Sequence, residues 1–271
     1  MGKFTRDTGV TAGANNEWHG ELHSGWRVGE IPNGGYVLAL IARALRQSLP
    51  HRDPLTINAF FLAPTRLGEV LVRTDSLREG RGTSFGSAEL WQDEELKVRV
   101  TAAFTDLDRL SGEQWLGAAA PAVPDFDALK AQTARALEIH HSVEMRMVRG
   151  FDVFEQGKRP MTGEFIAWLQ HCDAAPADTL DLIMMADIMP PPVFTVLGPF
   201  GWVPTIEITV QCRARPAPGP LLGRHLSRYL TRGIIEADGE LWDSEGQLVA
   251  LSRQTMKVRQ PKTAAQNPFS V

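Results

Sequence analysis

The chain has 271 residues, 43% of them hydrophobic and 22% charged, with a formal net charge of −4. That balance allows one large domain or two medium ones with a sizeable core, and it points away from nucleic acid or an anionic membrane as the main partner. Cys172 and Cys212 are too few for a disulfide framework, Met1–Asp7 has no signal-like apolar core, and no run approaches the ~18 apolar residues that span a bilayer; a cytoplasmic protein with no membrane partner is expected.

Residues 1–31 carry Trp18, His19, Leu22, Trp26 and Val28 between polar and glycine residues and read as one or two short strands. A helix follows, opened by Asn33-Gly34-Gly35 and stopped at Pro50. Val37, Leu38, Ile41 and Leu45 recur at helical spacing, alanines fill the gaps, and only Arg43 and Arg46 interrupt the apolar surface, so the helix has to be sheathed nearly all round. Asn33 is placed to cap it. Gly34 and Gly35 leave first-turn N–H groups open to a ligand oxygen, or simply make a tight turn.

Strands are predicted at Leu55–Leu62 and Glu69–Thr74, then at Thr83–Gln92 and Leu96–Thr105, the last two joined by the hairpin turn Asp93-Glu94-Glu95. A helix followed by four meandering strands is the pattern of an antiparallel sheet curved round that helix, an α+β unit. From Gly117 to Pro124 the composition is that of a linker, with a short connecting helix expected over Asp127–Leu137. Beyond it come a strand at Phe165–Leu169, a helix at about Asp178–Ile188, the breaker Pro190-Pro191-Pro192, and strands at Thr205–Arg213, Leu221–Thr231, Gly233–Trp242 and Gln247–Val258.

The first half has recurred. Arg81-Gly82 and Arg232-Gly233 lie 151 residues apart, as do Glu89-Leu90-Trp91 and Glu240-Leu241-Trp242. One register across turn and strand implies a duplicated domain rather than a solenoid, whose repeats are ~20–50 residues long. The expected organisation is an N-terminal unit at 1–115, a linker at 116–155, a C-terminal unit at 156–262 and a tail at 263–271. A site between the copies is expected.

The residues resemble the double-hotdog acyl-CoA thioesterases of the thioesterase II type. The resemblance rests on Asn33-Gly34-Gly35, Phe61-Leu62-Ala63-Pro64, Leu77-Arg78-Glu79-Gly80 with Ser84-Phe85, Ala186-Asp187, Thr205-Ile206-Glu207, and Gly239-Glu240 through Val249-Ala250 to Arg253-Gln254, in that order. It implies a tandem double hotdog, each unit an antiparallel sheet wrapped round a central helix, and hydrolysis of acyl-CoA to a free acid and CoA without cofactor or metal. It also implies that Asp187, Thr205 and Gln254 hold and activate water. The sequence departs from the family in having Glu207 where Asp is usual, and Thr209 is a rival to Thr205 on the expectation that both share a strand face.

Thioester hydrolysis needs an oriented water, a base and oxyanion donors. Asp187 sits among Met184, Met185, Ile188 and Met189, a setting that desolvates a carboxylate and raises its pKa, while Thr205 and Gln254 are neutral hydrogen-bonders. Read singly, each also fits an ordinary helix end or strand. The substrate-binding candidates are Asn33, Gly34, Gly35, Arg81, Ser84 and Thr209, with the N–H groups of Gly34 and Gly35 as oxyanion donors; Arg78 and Arg81 would face CoA phosphates or form a solvated turn. Gly82-Thr83-Ser84-Phe85-Gly86 matches G-x-S-x-G but lacks the strand-turn-helix context of a nucleophile elbow. His140-His141 and His171-Cys172-Asp173 are read as surface or packing residues. The alternative functions are a non-catalytic acyl-CoA or hydrophobic-ligand binding protein, and a hotdog enoyl-CoA hydratase or dehydratase, which pairs Asp with a His that the sequence does not place near Asp187. A homodimer or homotrimer is expected from the resemblance.

Overall fold

The computed structural model describes residues 1–130, 137–199 and 202–259. In chain order the first half holds α1 (Lys3–Asp7), β1 (Val10–Ala12), β2 (Glu17–Leu22), the short pair β3 (Arg27–Val28) and β4 (Ile31–Pro32), and the long helix α2 (Gly34–Ser48). Then come β5 (Asp53–Phe61), β6 (Gly68–Glu79), β7 (Thr83–Gln92) and β8 (Glu95–Thr105). The second half holds β9 (Val143–Arg149), α3 (Asp152–Glu155), β10 (Glu164–His171), α4 (Thr179–Met185) and α5 (Phe194–Leu197). It ends with β11 (Thr205–Cys212), β12 (Leu221–Leu226), β13 (Leu230–Thr231), β14 (Ile234–Trp242) and β15 (Leu248–Lys257).

All strands except β3 and β4 join one antiparallel sheet in the order β1-β2-β6-β7-β8-β5-β11-β15-β14-β12-β10-β9, with β13 paired to β14. The order β2-β6-β7-β8-β5 is mirrored by β10-β12-β14-β15-β11, and the two sets meet where β5 pairs with β11, Phe60 opposite Glu207 and Ile57 opposite Val210. This is a double hotdog, as the 151-residue register implies. Each half wraps its own helix, and α2 and α4 pack against each other between the halves.

Helix α2 is buried along Gly35–Ala42 and again at Ala44 and Leu45. Burying Val37, Leu38, Leu40, Ile41 and Leu45 contributes about 1.5–3 kcal/mol each, more than the ~1 kcal/mol per residue that two helical glycines cost. The Asn33 side chain caps the helix, its Oδ1 accepting from Tyr36 N at 2.9 Å. Its two arginines are anchored on neighbouring elements. Arg43 Nε donates to Thr8 Oγ1 at 2.9 Å, and Arg46 donates to Asp178 Oδ2 at 2.7 Å and Thr179 Oγ1 at 2.8 Å, the start of α4.

Two expectations change. The stretch 116–155, expected as the linker between the units, contains β9, whose alternating Val143 and Met145 face the core and whose backbone pairs with β10. The expected connecting helix at Asp127–Leu137 shows a single 3-10 turn at Phe126–Ala128, and its centre, like the tail at 263–271, lies outside the described residues. Among the described residues no helix is long and apolar enough to cross a membrane.

Candidate active site

The N-terminus of α2 meets the chain just beyond α4 because Gly35 lets the two helices touch. A Cβ built on Gly35 would lie 2.8 Å from Asp187 Cβ and 3.0 Å from both Ile183 O and Met184 Cα. With no side chain there, Asp187 Oδ2 reaches the α2 terminus, accepting from Gly35 N at 2.8 Å and Asn33 Nδ2 at 3.1 Å. Asn33 Nδ2 also donates to the Asp187 carbonyl at 3.0 Å, so the capping residue of one half holds both backbone and side chain of the acid in the other.

Burial raises the pKa of Asp187 to about 6, although the hydrogen bonds from Gly35, Gln254 and Asn33 each pull it down. The side of the carboxylate that is not packed opens on a cavity of about 1050 Å³. Gln254, inward on β15, reaches the carboxylate with its amide and accepts with Oε1 from Thr205 Oγ1 at 2.9 Å. Oε1 is thus the acceptor and the NH2 group is the end left to donate, which gives a continuous chain Thr205 to Gln254 to Asp187 along the cavity wall. The remaining wall is largely apolar, including Val37, Phe61, Met147, Phe151, Met189 and Phe194. The Pro-rich stretch after Asp187 forms part of it through Pro190, Pro191, Pro192 and Pro204.

Of the binding candidates, Asn33 and Gly34 line the cavity with the trio, and Gly35 lies directly behind Asp187. Gly35 N–H is engaged by the carboxylate, which removes it as an oxyanion donor. Gly34 N–H, at the first helical position, has no intrahelical acceptor.

Arg81, Ser84 and Thr209 are not at this site. Ser84 is buried against His51, its Oγ 3.1 Å from Nδ1, and Arg81 lies in the β6–β7 turn. Both are at the Asp53 end of the sheet, eight residues along β5 from Phe61 at the cavity, roughly 25 Å at ~3.3 Å per residue. Thr209 faces the opposite side of the sheet from Thr205. A bulge between Thr205 and Glu207 breaks the alternation, so Thr205 points inward while Glu207 and Thr209 point outward, where Thr209 Oγ1 donates to Glu207 Oε1 at 2.8 Å and Asn58 Nδ2 donates to Thr209 Oγ1 at 2.9 Å. The departure at Glu207 therefore falls on the outer face, away from the cavity.

Sequence reasoning missed two histidines of the cavity wall: His140, read as a surface or packing residue, lines it with Nδ1 buried and without a partner among the described residues, and His225 was not singled out. His225 is buried on β12 with Nε2 2.9 Å from the carbonyl of Ala186, next to Asp187, and burial lowers its pKa to about 4. Its only signal in the sequence is an inward position in an alternating strand, Gly223-Arg224-His225-Leu226. His171, singled out in the sequence with Cys172 and Asp173, is paired with Asp181 Oδ1 at 2.6 Å in a buried contact that stacks on Phe4, outside the cavity.

Comparison with known proteins agrees with this architecture. Residues 22–105 match the family model for the acyl-CoA thioesterase N-terminal domain, and residues 117–258 match that for the acyl-CoA thioesterase C-terminal domain. A provisionally assigned thioesterase II from Thermobifida fusca YX superposes with a TM-score of 0.88 at 26% identity, covering 96% of this chain and 98% of that one. A hot dog protein of unknown function from Alicyclobacillus acidocaldarius gives a TM-score of 0.87 at 24% identity over 96% and 99% of the two chains. An uncharacterized protein of Mycobacterium tuberculosis is 25% identical over 268 residues, 89% of this chain and 90% of its own. With both halves matched in order and the double hotdog formed, the chain belongs to the acyl-CoA thioesterase family.

Proposed function

We propose that this protein hydrolyses acyl-CoA thioesters, with Asp187 as the general base for an attacking water. The observation that carries the reading is the hydrogen-bonded chain Thr205, Gln254, Asp187 on the wall of a large apolar cavity, ending in a carboxylate whose pKa is raised to about 6. An acid of that pKa is ionised at neutral pH and is a far better proton acceptor than an ordinary Asp. Thr205 has given its hydroxyl hydrogen to Gln254, so its lone pairs can accept from a water, and the Gln254 NH2 can donate to it. As the water attacks the thioester carbon, its proton passes to Asp187, and the N–H of Gly34 is the donor within the cavity wall for the developing oxyanion. Collapse of the tetrahedral intermediate expels CoA thiolate. The cavity, at the upper end of the ~300–1,000 Å³ range of small-molecule sites, has room for an extended acyl chain.

The test is CoA release, followed with a thiol reagent, from acyl-CoAs of increasing chain length. Thr205→Val is expected to lower kcat by about 10–100-fold, the worth of one hydrogen bond to a group that gains charge, while Thr209→Val leaves it unchanged. Equal losses from both variants would refute the assignment of Thr205. Acyl-CoA bound tightly with no release would select a binding protein, and hydration of an enoyl-CoA without release would select the hydratase chemistry.

The pH profile is a second check. Because Asp187 acts ionised and its pKa is raised to about 6, kcat/KM is expected to fall about tenfold per unit below pH 6 and to level off above it. A profile flat down to pH 4.5 would mean that the base is another group.

A further inference from the structure

Of the polar groups that line the cavity and that hydrolysis does not use, among them His140, Lys130 and Glu155, the one bonded to the residue beside Asp187 is His225. It is only 3% exposed. One edge of the imidazole is committed: Cδ2 and Nε2 lie over Gly239, each 3.2 Å from where a Cβ would stand, and Nε2 is 2.9 Å from the Ala186 carbonyl. A carbonyl only accepts, so Nε2 carries the hydrogen. The ring holds a single proton at neutral pH because burial brings its pKa down to about 4, which leaves Nδ1 as a bare lone pair. No group among the described residues hydrogen-bonds Nδ1, and its edge is the one left to face the cavity. Ser252 Oγ lies over the same Gly239 on the Nε2 side of the ring, and the cavity wall includes the apolar Met189, Ile188, Ala237 and Met256.

An acceptor in such a wall disfavours a plain alkyl chain, which would cover it and leave it unsatisfied, and favours a chain that carries a donor. We propose that His225 is a specificity-determining residue and that the acyl group this site takes bears a hydroxyl, donated to His225 Nδ1. Since His225 bonds the residue next to Asp187, and consecutive Cα atoms are 3.8 Å apart, the hydroxyl belongs near the thioester, within roughly the first six carbons. The proposal rests on the hydrolase reading for the position of the thioester and extends it to the substrate class.

The experiment compares decanoyl-CoA with 3-hydroxydecanoyl-CoA and 5-hydroxydecanoyl-CoA, measuring CoA release by wild type and His225→Phe, and in parallel the affinity of the matching thioether analogues, which cannot be hydrolysed. Wild type is expected to favour one hydroxylated member over decanoyl by about 5–10-fold in kcat/KM and in affinity, the worth of one hydrogen bond. In His225→Phe that ratio is expected to fall to about one. The variant also loses the Ala186 bond, but that loss acts on both members of a pair and leaves their ratio unmoved. A wild-type ratio at or below one for both hydroxyl positions, or a preference that survives in His225→Phe, overturns the proposal; if the variant does not fold, the wild-type ratio decides. If no thioester is cleaved at all, the hydrolase reading fails by itself and the thioether affinities still decide the role of His225.

Discussion

Asp187→Asn is expected to abolish turnover and, at the same time, to make the protein more stable at neutral pH. The loss follows from removing the proton acceptor, which general-base catalysis values at about 10²–10⁴-fold in rate. The gain follows from the raised pKa. Asp187 titrates at about 6 in the fold against an ordinary 3.8, so the folded state holds its proton more tightly than the unfolded chain. A raised acid contributes its full stability below pH 3.8 and loses it as pH climbs from there to about 6; the cost of keeping the carboxylate ionised above that window is at most about 3 kcal/mol. Water in the cavity screens the open side of the carboxylate and reduces the figure. An amide in its place carries no charge, and its oxygen still accepts from Gly35 N–H. Thermal melts of both proteins between pH 4 and 8 should therefore converge at the acid end and separate in favour of the variant above pH 6. A variant with wild-type turnover would eliminate Asp187 as the base, and melts that run parallel at every pH would show that its carboxylate is not desolvated in the fold.

That a fold element is legible depends on whether its cause is local. Helix α2 was readable because Val37 to Leu45 had no polar face to present to solvent, and β7 and β8 because an alternating pair flanked an acidic turn. The duplication was readable because one spacing recurred through turn and strand, and the mirrored strand order gives it physical form. Features set by long-range contacts were not. The bulge that turns Thr209 outward is a mismatch in the pairing of β11 with β15, and neither strand alone announces it. Ser84 belongs to a motif of the resemblance and Arg81 to a turn expected at CoA phosphates or in solvent, yet the sheet carries both to the end remote from the cavity. Strand β9 sits at a sheet edge inside the stretch expected as the linker between the units, and its Met145 and Met147 nonetheless line the cavity. His225 enters the site only because β12, β14 and the end of α4 converge on it.

Gly35→Ala is expected to cost more activity than any other single methyl added near the site. Alanine favours a helix over glycine by about 1 kcal/mol, so on propensity alone the change would stabilise α2. The packing opposes it. The new Cβ would stand 2.8 Å from Asp187 Cβ and 3.0 Å from Ile183 O and Met184 Cα, backbone atoms that move only if α2 and α4 separate. Overpacking of that kind costs about 1–3 kcal/mol, which outweighs the propensity gain, and the separation draws Asp187 off Gly35 N–H. A shift near 1 Å in a catalytic group is worth about 10²-fold in rate, so kcat is expected to fall by that order together with a lower Tm. Gly34→Ala, one residue earlier, provides the contrast. Its Cβ would meet Phe61 Cζ at 3.0 Å, a ring tip that can swing aside, and Asp187 Oδ2 at 3.1 Å, where the anchored oxygen has to give by only a few tenths of an ångström. Its kcat is expected to stay within about tenfold of wild type, with the larger change in KM because the methyl enters the cavity. Comparable losses in the two variants would mean that crowding of the carboxylate, rather than the spacing of the two central helices, governs the base. A Gly35→Ala protein as active as wild type would mean that Asp187 does not depend on the α2 terminus at all, and the catalytic role of the interface between the two halves would have to be given up.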